Sequence, residues 1–331
     1  MDALTVLQES ERDFLQRFRE TFNGLLESRI GLANDALNRL KESKGKHIRP
    51  IVLALCNRLS GGSAGDDAVR MAAVIELLHT ASLVHDDVID NSALRRGDET
   101  LNALYTNHIA VLVGDYLLAT VFDFGLQHFS KEMLHMIART GRNLCEGELL
   151  QFAQSRRPEA LSMKSYFDII HFKTASLFEV SAVLGGKIAG ADDEAMLRLY
   201  TVGRNIGIAF QIGDDILDYS DGSQSGKPAG NDLAEGKVTL PLLYLLEQSD
   251  DEQREELMER IRLAQQSEAE RNELIHYTHA HGGIAYAQKR MSLYTEEAKR
   301  HLSAFPPCEA RDLLVRLVDW LEQRSYSPLP L

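Results

Sequence analysis

The chain of 331 residues is 44% hydrophobic, which is enough apolar side chain to bury a substantial core and excludes a disordered protein. Its 36 basic and 49 acidic residues give a formal net charge of −13, a balance that argues against nucleic acid as the main partner. Any binding of a phosphate group must therefore depend on local clusters of basic residues.

The cysteines and the apolar stretches bear on where the protein works. Cys56, Cys145 and Cys308 match no zinc-binding spacing and cannot all pair within one chain, which favours a reducing compartment. The N-terminus carries acidic residues where a secretory signal needs a basic end and an apolar stretch. The longest apolar stretch, at 109–124, is interrupted by aspartates and is shorter than the ~20 residues of a spanning helix. We expect a cytoplasmic protein with no transmembrane segment.

Apolar residues recur at helical spacing along nearly the whole chain, for example at Val74, Leu77, Leu78 and Ala81. Because no stretch alternates convincingly between apolar and polar residues, we predict an all-α fold of roughly ten to a dozen helices. Gly, Pro and polar residues predict breaks between helices at 60–67, 156–159, 220–231, 280–283 and 306–307. No linker is evident, so we predict one domain over 1–331, with its core at about 45–324, N-terminal helices at 1–44 and a frayed tail at 325–331.

The first concentration of basic charge is GKHIRP at 45–50, where Lys46 and Arg49 flank a short turn into a helix that includes Pro50 near its start. Two cations at a helix N-terminus could hold a phosphate group. The competing interpretation is a basic helix start, which is electrostatically unusual because the helix dipole favours acidic residues there. His79 follows on the next helix, and a single histidine is more often a core or surface residue than a ligand.

Two acidic clusters share the pattern DDxxD, and each follows an apolar helical stretch. The clusters consist of Asp86, Asp87 and Asp90, and of Asp214, Asp215 and Asp218. Spacings of three and four residues place the carboxylates of each cluster on one helix face, where they repel each other unless a cation neutralises them. A single cluster of this kind is commonly a solvated helix face, whereas two copies favour a shared metal site.

Carboxylate oxygens suit Mg²⁺, which keeps several waters and commonly bridges protein carboxylates to the phosphates of a substrate. Basic residues stand near both clusters. They are Arg95 and Arg96 after the first, and Lys173, Lys227 and Lys237 on either side of the second. Arg offers a planar fork to phosphate and Lys offers a point charge, so diphosphate is the natural third party. The alternative for any one of these residues, and for Lys227 most of all, is an ordinary solvated surface position.

The motifs together resemble those of the trans-isoprenyl diphosphate synthases, the polyprenyl synthetase family. They are GKHIRP, LLHTASLVHDDVIDNSALRRG, VLVGDYLL, KT, FQIGDDILDY, GKP and GKVTLPL, in that order, and the resemblance covers about residues 45–324. It implies an all-α isoprenoid-synthase fold of large helices around a deep central cavity, usually in a homodimer. It also implies that the two aspartate clusters face each other across the mouth of that cavity.

The resemblance assigns roles to individual residues. The six aspartates look like the Mg²⁺ ligands, with three ions expected once substrate is bound. The allylic diphosphate contacts correspond to Arg95, Lys173, Thr174, Gln211, Lys227 and Lys237. The pocket for isopentenyl diphosphate corresponds to Lys46, Arg49, His79 and Arg96. No position departs from the family pattern, so the resemblance implies an active subunit.

Product length is suggested by the residues one helical turn before Asp86. Ala81 and Ser82 are both small, whereas family members with aromatic residues there close the tunnel early. The competing interpretation is that small residues only allow close helix packing. Residues at the tunnel floor are predicted to be Leu118, Phe122 and Phe124.

We therefore predict a medium- to long-chain all-trans polyprenyl diphosphate synthase that supplies the side chain of a respiratory quinone. Its substrates would be isopentenyl diphosphate and an allylic primer such as farnesyl diphosphate, and its lipophilic product could pass to a membrane. The alternatives are a geranylgeranyl or farnesyl synthase, a class I terpene cyclase, and a non-catalytic subunit of a heteromeric synthase. The sequence alone leaves the product's carbon number, the primer and the pathway open.

Overall fold

A computed structural model of the protein describes residues 3–42, 45–95, 97–155, 161–220 and 230–324. The prediction of an all-α fold is confirmed. The helices are α1 (Ala3–Ser10), α2 (Arg12–Leu25), α3 (Gly31–Glu42), α4 (Ile48–Leu59), α5 (Asp66–Ile89), α6 (Leu101–Leu104), α7 (Asn107–His128), α8 (Lys131–Ser155), α9 (Met163–Ile170), α10 (Ser176–Ile188), α11 (Asp193–Asp218), α12 (Asn231–Ala234), α13 (Leu240–Gln248), α14 (Asp251–Ala264), α15 (Glu268–Ala280), α16 (Gly283–Ser303) and α17 (Glu309–Gln323). A π-helical turn at His171–Ala175 joins α9 to α10.

The helices are more numerous than the sequence predicted, because some breaks carry neither Gly nor Pro. One such break separates α1 from α2 at Glu11, and another separates α6 from α7 at 105–106. The expectation of no strand also needs a small correction. Strands β1 (Leu94–Arg95) and β2 (Asp98–Glu99) form an antiparallel hairpin, and they are the only strands in the described residues. Gly97 has φ +88° at the turn, a conformation that residues with a side chain rarely adopt.

The chain divides into two compact units. The first comprises Met1–Arg142, Leu177–Gly203 and Arg300–Leu317. Within this unit, α5 packs along α7 and also against α2 and α4. Every residue of α4 except Arg49 and Arg58 is buried, as is every residue of α5 from Ala68 to Leu78 except Arg70. A helix that is apolar on all sides must lie inside the protein, so α5 is a central element of this unit.

The burial of α5 changes towards its C-terminal end. From His79 onward, several residues are partly exposed, while Ala81 and Val84 remain buried. The helix therefore leaves the core at the stretch where the sequence turns from apolar to acidic. This change places the polar residues at the end of α5 where they can meet a ligand.

The second unit comprises Asn143–Ser176, Arg204–Lys299 and Val318–Leu331. Its core contains apolar residues of α9, α11, α13, α14, α15 and α16, including Ile212, Ile216, Leu243 and Met291. Boundaries between the two units fall inside α8, α10, α11, α16 and α17. The single domain over 1–331 stays a prediction.

In the part of the chain that the structure describes, two helices have the length and apolar composition to cross a membrane. In the most apolar window of α5, 67% of the residues are buried inside the protein, as expected for a core helix. The corresponding share for α7 is only 33%. Length and composition alone are weak evidence for a membrane span, because the core helices of many proteins satisfy the same test.

Candidate active site

The first aspartate cluster lies at the C-terminal end of α5. Asp87 is buried with 7% of its surface exposed, Asp86 is half-buried and Asp90 is exposed. The β1–β2 hairpin brings Arg95 back to the cluster, where its Nε and Nη2 atoms each lie 2.8 Å from Asp87 Oδ1. The guanidinium therefore balances the charge of the most buried of the three carboxylates. Arg96 lies outside the described residues.

Polar contacts fix the segment that follows the cluster. The Asp87 carbonyl accepts hydrogen bonds from Ser92 N at 2.9 Å and from Asn102 Nδ2 at 3.3 Å. Asn102 Nδ2 also lies 3.0 Å from the Ser92 carbonyl, which accepts a further bond of 2.7 Å from Thr100 Oγ1. These bonds satisfy backbone groups that the end of α5 would otherwise leave open. The loop that carries Arg95 is thus tied to the helix that carries the aspartates.

The basic turn at 45–50 meets the middle of α5. Arg49 Nη1 lies 3.0 Å from His79 Nε2, and the Arg49 guanidinium stacks 4.7 Å from the ring centre of Phe178. His47 has φ +49°, which is unusual for a residue other than glycine, and its Nδ1 lies 3.2 Å from Glu76 Oε1. Arg49 and His79 of the predicted isopentenyl diphosphate pocket are therefore neighbours.

Glu76 is the buried anion of this basic pocket. Burial by itself would raise the pKa of Glu76, but the hydrogen bond from His47 and the charges of His79 and Arg49 outweigh it, and the pKa is lowered to about 2. A carboxylate that stays ionised inside the protein offsets part of the positive charge around it. Lys46, the remaining described member of the predicted pocket, is exposed, and its carbonyl accepts a hydrogen bond from Gln8 Nε2 at 3.3 Å.

The second aspartate cluster lies at the C-terminal end of α11, and its three carboxylates differ in their surroundings. The Asp214 side chain is 44% exposed, and its Oδ1 is paired with Arg324 Nη2. Asp215 has 2% of its surface exposed and accepts hydrogen bonds from Tyr166 Oη at 2.5 Å and from Gln211 Nε2 at 2.8 Å. Asp215 and Asp218 each accept hydrogen bonds through both carboxylate oxygens. Asp214 differs from them, since its described contact uses Oδ1 alone.

Asp218 caps the short helix α12. Its Oδ1 accepts a hydrogen bond from Asn231 N, and its Oδ2 accepts one from Asp232 N, both at 3.0 Å. The Asp218 carbonyl accepts a third bond from Gly230 N at 2.8 Å. Backbone N–H groups at the start of a helix favour an anionic acceptor, so this carboxylate anchors the chain where it returns to the cluster.

Burial shifts the pKa values of Asp215 and Tyr166. The pKa of Asp215 is raised well above its usual range by burial and by the neighbouring charge of Asp232, although the hydrogen bonds from Tyr166 and Gln211 oppose the shift. The pKa of Tyr166 is also raised well above its usual range, by burial and by the charge of Asp215. The phenol therefore stays protonated and keeps its role as the donor to Asp215.

Lys173 and Thr174 lie on the π-helical turn between α9 and α10. Such turns occur often at functional sites, because the extra residue redirects neighbouring side chains. Lys173 Nζ is paired with Glu148 Oε2 and lies 3.4 Å from Gln151 Oε1. On α8, Gly147 permits this approach, since a Cβ at that position would come within 2.9 Å of the Lys173 backbone nitrogen.

Thr174 is connected to the second cluster through Gln211. Thr174 Oγ1 donates to Gln211 Oε1 at 2.8 Å, and Gln211 Nε2 donates to Asp215. Both predicted phosphate contacts are thus brought to the buried side of the aspartate cluster. Lys237 Nζ lies 2.6 Å from Glu235 Oε2, while Lys227 lies outside the described residues.

The predicted tunnel residues lie on α5 and α7. Ala81 is fully buried, and Ser82 is half-buried with its Oγ 2.8 Å from the His79 carbonyl. Leu118 and Phe124 are half-buried, whereas Phe122 is 45% exposed. The roles of these residues in product length stay predictions.

Each aspartate cluster, taken by itself, has donor atoms that suit Mg²⁺ with substrate oxygens completing the shell. Across the described residues, no three His, Cys, Asp or Glu side chains form a metal-binding group by themselves. Each cluster nevertheless presents a carboxylate that is accessible on a fixed helix, Asp86 or Asp90 on α5 and Asp214 on α11. Mg²⁺ commonly takes only one or two protein carboxylates and completes its shell with waters and phosphate oxygens.

Sequence reasoning missed several residues that organise these sites. They are Glu76, Glu148, Tyr166 and Arg324. A spacing signal was available for Glu76, which lies three residues before His79 on the same helix face. The other three are distant in sequence from the groups they contact, and no local pattern reveals such a pairing.

Comparisons with known proteins agree with the motifs. The Polyprenyl synthetase family model matches residues 31–278. The chain is 38% identical over 293 residues to the all-trans-nonaprenyl-diphosphate synthase (geranyl-diphosphate specific) of Rhodobacter capsulatus, covering 88% of this chain and 89% of that protein. It is 36% identical over 304 residues to the octaprenyl diphosphate synthase of Escherichia coli strain K12, covering 91% and 92%.

A solved structure extends the likeness to the fold. The polyprenyl synthase from Caulobacter crescentus CB15, complexed with calcium and isoprenyl diphosphate, superposes with a TM-score of 0.89 at 32% identity, covering 96% of this chain and 97% of that one. The all-α fold with these motifs defines a prenyltransferase. The chain belongs to the polyprenyl synthetase family.

Proposed function

We propose that the protein is an all-trans polyprenyl diphosphate synthase that joins isopentenyl diphosphate repeatedly to an allylic diphosphate primer. The observation that carries this proposal is that α5 presents two different polar sites, the Arg49–His79–Glu76 pocket and, two turns later, the Asp86 cluster. A synthase must hold two diphosphates at once. A class I terpene cyclase binds one, so the second pocket favours the synthase.

The chemistry follows from the charges in each pocket. The allylic carbon–oxygen bond breaks, and the diphosphate leaves with the electron pair. Arg95, Lys173 and Lys237 stabilise the negative charge that develops on it. Mg²⁺ at Asp86 and Asp90, and Mg²⁺ at Asp214, would add positive charge to the leaving diphosphate. We propose three Mg²⁺ ions when substrate is bound. The calcium in the complex of the Caulobacter relative supports a requirement for a divalent metal.

The new carbon–carbon bond forms when the double bond of isopentenyl diphosphate attacks the allylic cation. Arg49 and His79 would hold the diphosphate of this second substrate, so that its double bond faces the cation. The positive charge then lies on the tertiary carbon of the former isopentenyl unit. The CH₂ group between that carbon and the carbon that bears the diphosphate loses a proton to the released diphosphate, which restores an alkene. The buried apolar residues of α5 would exclude water, which otherwise captures the cation.

The proposed product is long. We base this on Ala81, a small buried residue one helical turn before the first aspartate cluster, and on the relatives described above, whose names state nonaprenyl and octaprenyl products. A product of that length suits a respiratory quinone side chain. A geranylgeranyl or farnesyl synthase is the nearest alternative. A non-catalytic subunit is disfavoured because all six aspartates are retained.

We also propose a cytoplasmic homodimer that delivers its product to a membrane. Support comes from an exposed apolar stripe on one face of α7, where Leu112, Tyr116, Phe122 and Leu126 are between 38% and 72% exposed. A contiguous apolar patch on a protein surface commonly marks the place where another molecule binds. In a homodimer, a second copy of the chain would cover these exposed apolar residues of α7, so their exposure does not require a membrane-spanning helix.

Product analysis tests the proposed function. Purified protein should convert farnesyl diphosphate and isopentenyl diphosphate to long polyprenyl diphosphates in the presence of MgCl₂, with no product in excess chelator. Replacing Asp86 or Asp214 by Ala should lower turnover at least ~100-fold, because loss of a metal ligand removes several kcal/mol of stabilisation from the charged transition state. Near-normal turnover in both variants would refute the metal assignment. Products no longer than farnesyl or geranylgeranyl would support the short-chain alternative.

A further inference from the structure

The carboxylate of Asp214 is held by a residue near the C-terminal end of the chain. Arg324 Nη2 is paired with Asp214 Oδ1, and the same nitrogen lies 3.4 Å from the carbonyl oxygen of Phe210. Phe210 and Asp214 lie four residues apart on α11, so both face Arg324 from the same side of that helix. Arg324 thus follows one face of α11 for a full helical turn.

Two aromatic rings hold the guanidinium in place. Its central carbon lies 4.7 Å from the ring centre of Phe210 and 5.2 Å from that of Trp320. Trp320 precedes Arg324 by four residues, and its carbonyl accepts a hydrogen bond from Arg324 N at 3.2 Å, which continues the helical pattern of α17. Contact with the face of an aromatic ring stabilises a planar cation and restricts its rotation.

Burial distinguishes this ion pair from an ordinary surface salt bridge. The Arg324 side chain is 10% exposed, whereas that of Asp214 is 44% exposed. The cation is therefore fixed inside the protein, while the carboxylate reaches outward from it. An exposed pair of two mobile side chains would contribute little, but here one partner has already lost its freedom.

We propose that Arg324 is a positioning residue for the reaction: it fixes the Asp214 carboxylate through Oδ1 and directs Oδ2 towards Mg²⁺. The inference rests on the proposed function. Carboxylates that bind a metal are commonly held by a second hydrogen-bonding partner, and loss of that partner typically weakens metal binding about 10- to 100-fold. Asp215 and Asp218 already use both oxygens in other contacts, which leaves Asp214 as the member of its cluster that Arg324 can orient.

The test measures metal dependence separately from turnover. The thermal unfolding midpoint of the full-length protein is followed as MgCl₂ is added at a fixed concentration of inorganic pyrophosphate. For Arg324→Gln, we expect the MgCl₂ concentration that gives half of the shift to rise at least ~10-fold. The MgCl₂ requirement of Arg324→Lys should lie between those of the wild-type protein and Arg324→Gln, because Lys keeps the charge without the planar stacking. Condensation assays should show a parallel rise in the MgCl₂ requirement.

Arg260→Gln is the matched control. Arg260 also stacks on an aromatic ring, 4.8 Å from the ring centre of Tyr277, but it contacts neither aspartate cluster in the described structure. This variant should keep the wild-type MgCl₂ requirement. If Arg324→Gln unfolds, Phe210→Leu removes one of the rings and leaves Arg324 and Asp214 in place, and a smaller shift in the same direction is expected.

The outcomes separate this inference from the proposed function. An unchanged or lower MgCl₂ requirement in Arg324→Gln, with a normal response in the wild-type protein, would overturn the positioning role. A lower requirement would identify Arg324 as a cation that competes with the metal. No magnesium response in the wild-type protein would instead contradict the proposed function.

Discussion

The phenol of Tyr166 donates a hydrogen bond of 2.5 Å to Oδ2 of Asp215, which joins the first turns of α9 to the second aspartate cluster. Both groups are buried, with 4% and 2% of their surfaces exposed. Asp215 receives its other hydrogen bond from Gln211, which also accepts one from Thr174. Asp215 therefore connects a predicted phosphate contact to the core of its unit, and its role as a Mg²⁺ ligand stays a prediction.

We expect Tyr166→Phe to lower the free energy of unfolding by roughly 1–3 kcal/mol, because the change leaves a buried carboxylate without one of its two hydrogen bonds. Urea unfolding measures this difference. Tyr244→Phe is the matched control, since the Tyr244 ring stacks 4.1 Å from that of Tyr286 and its phenol makes no hydrogen bond to a described residue. Equal stability of Tyr166→Phe and the wild-type protein would show that the bond contributes nothing.

The sequence predicted the helices and the aspartate clusters because both depend on local spacing. Asp86 and Asp90 share a face of α5 for the same reason that the apolar residues before them share the core. The sequence placed Arg95 near the first cluster as a phosphate contact, but it did not predict the ion pairs that the aspartates form within the protein. Asp87 pairs with Arg95 through a two-strand hairpin that has no alternating pattern, and Asp214 pairs with an arginine 110 residues away. Such pairs depend on tertiary packing.

The second cluster illustrates the same limit within one motif. Asp214, Asp215 and Asp218 look equivalent in the pattern DDxxD, yet one is paired with Arg324, one is buried and one caps α12. Periodicity places all three near one face of α11. Only the neighbours supplied by α9, α12 and the end of α17 distinguish the more exposed carboxylate of Asp214 from the two that accept hydrogen bonds through both oxygens.

The pKa of Glu76 predicts how stability depends on pH. Its value falls from 4.5 to about 2 on folding, so the unfolded chain binds the proton more tightly. Glu76 therefore contributes stability that is present above pH 4.5 and is lost as pH falls towards 2, about 3 kcal/mol in all. We expect the advantage in free energy of unfolding of the wild-type protein over Glu76→Gln to shrink as pH falls from 4.5 towards 2. Urea unfolding at a series of pH values measures this difference.

Glu11 provides a control of opposite sign. It is fully buried, and burial raises its pKa, although the charge of Arg58 opposes the shift. The wild-type protein should gain stability relative to Glu11→Gln as pH falls. The same trend in both variants would contradict the assignment of a depressed pKa to Glu76.

The two phosphate pockets should be separable by substitution. Arg49 belongs to the pocket with His79 and Glu76, whereas Lys173 lies on the π-helical turn beside Glu148. Arg49→Ala should raise the KM for isopentenyl diphosphate more than that for the allylic primer, and Lys173→Ala should do the reverse. Steady-state kinetics with each substrate varied in turn measures both. Equal losses for both substrates in both variants would refute the partition.

The residue beneath the first aspartate cluster should set the length of the product. Ala81 is fully buried on α5, and it precedes Asp86 by five residues, more than ~5 Å along the helix. In Ala81→Phe, the ring would block a growing chain while the carboxylates and the basic pocket keep their places. The expected result is shorter product with substantial condensation of the primer retained, as determined by sizing the products by chromatography.

Overpacking by the introduced ring could also destabilise the core, by roughly 1–3 kcal/mol, so the folded fraction of Ala81→Phe is measured before products are compared. Ser82→Ala is the matched control, because it changes the neighbouring small residue without adding bulk and removes only the hydroxyl that bonds the His79 carbonyl. This variant should keep the wild-type product length. If well-folded Ala81→Phe also makes products of wild-type length, Ala81 does not face the growing chain. The close packing of α5 against its neighbours would then be the reason for a small residue at this position.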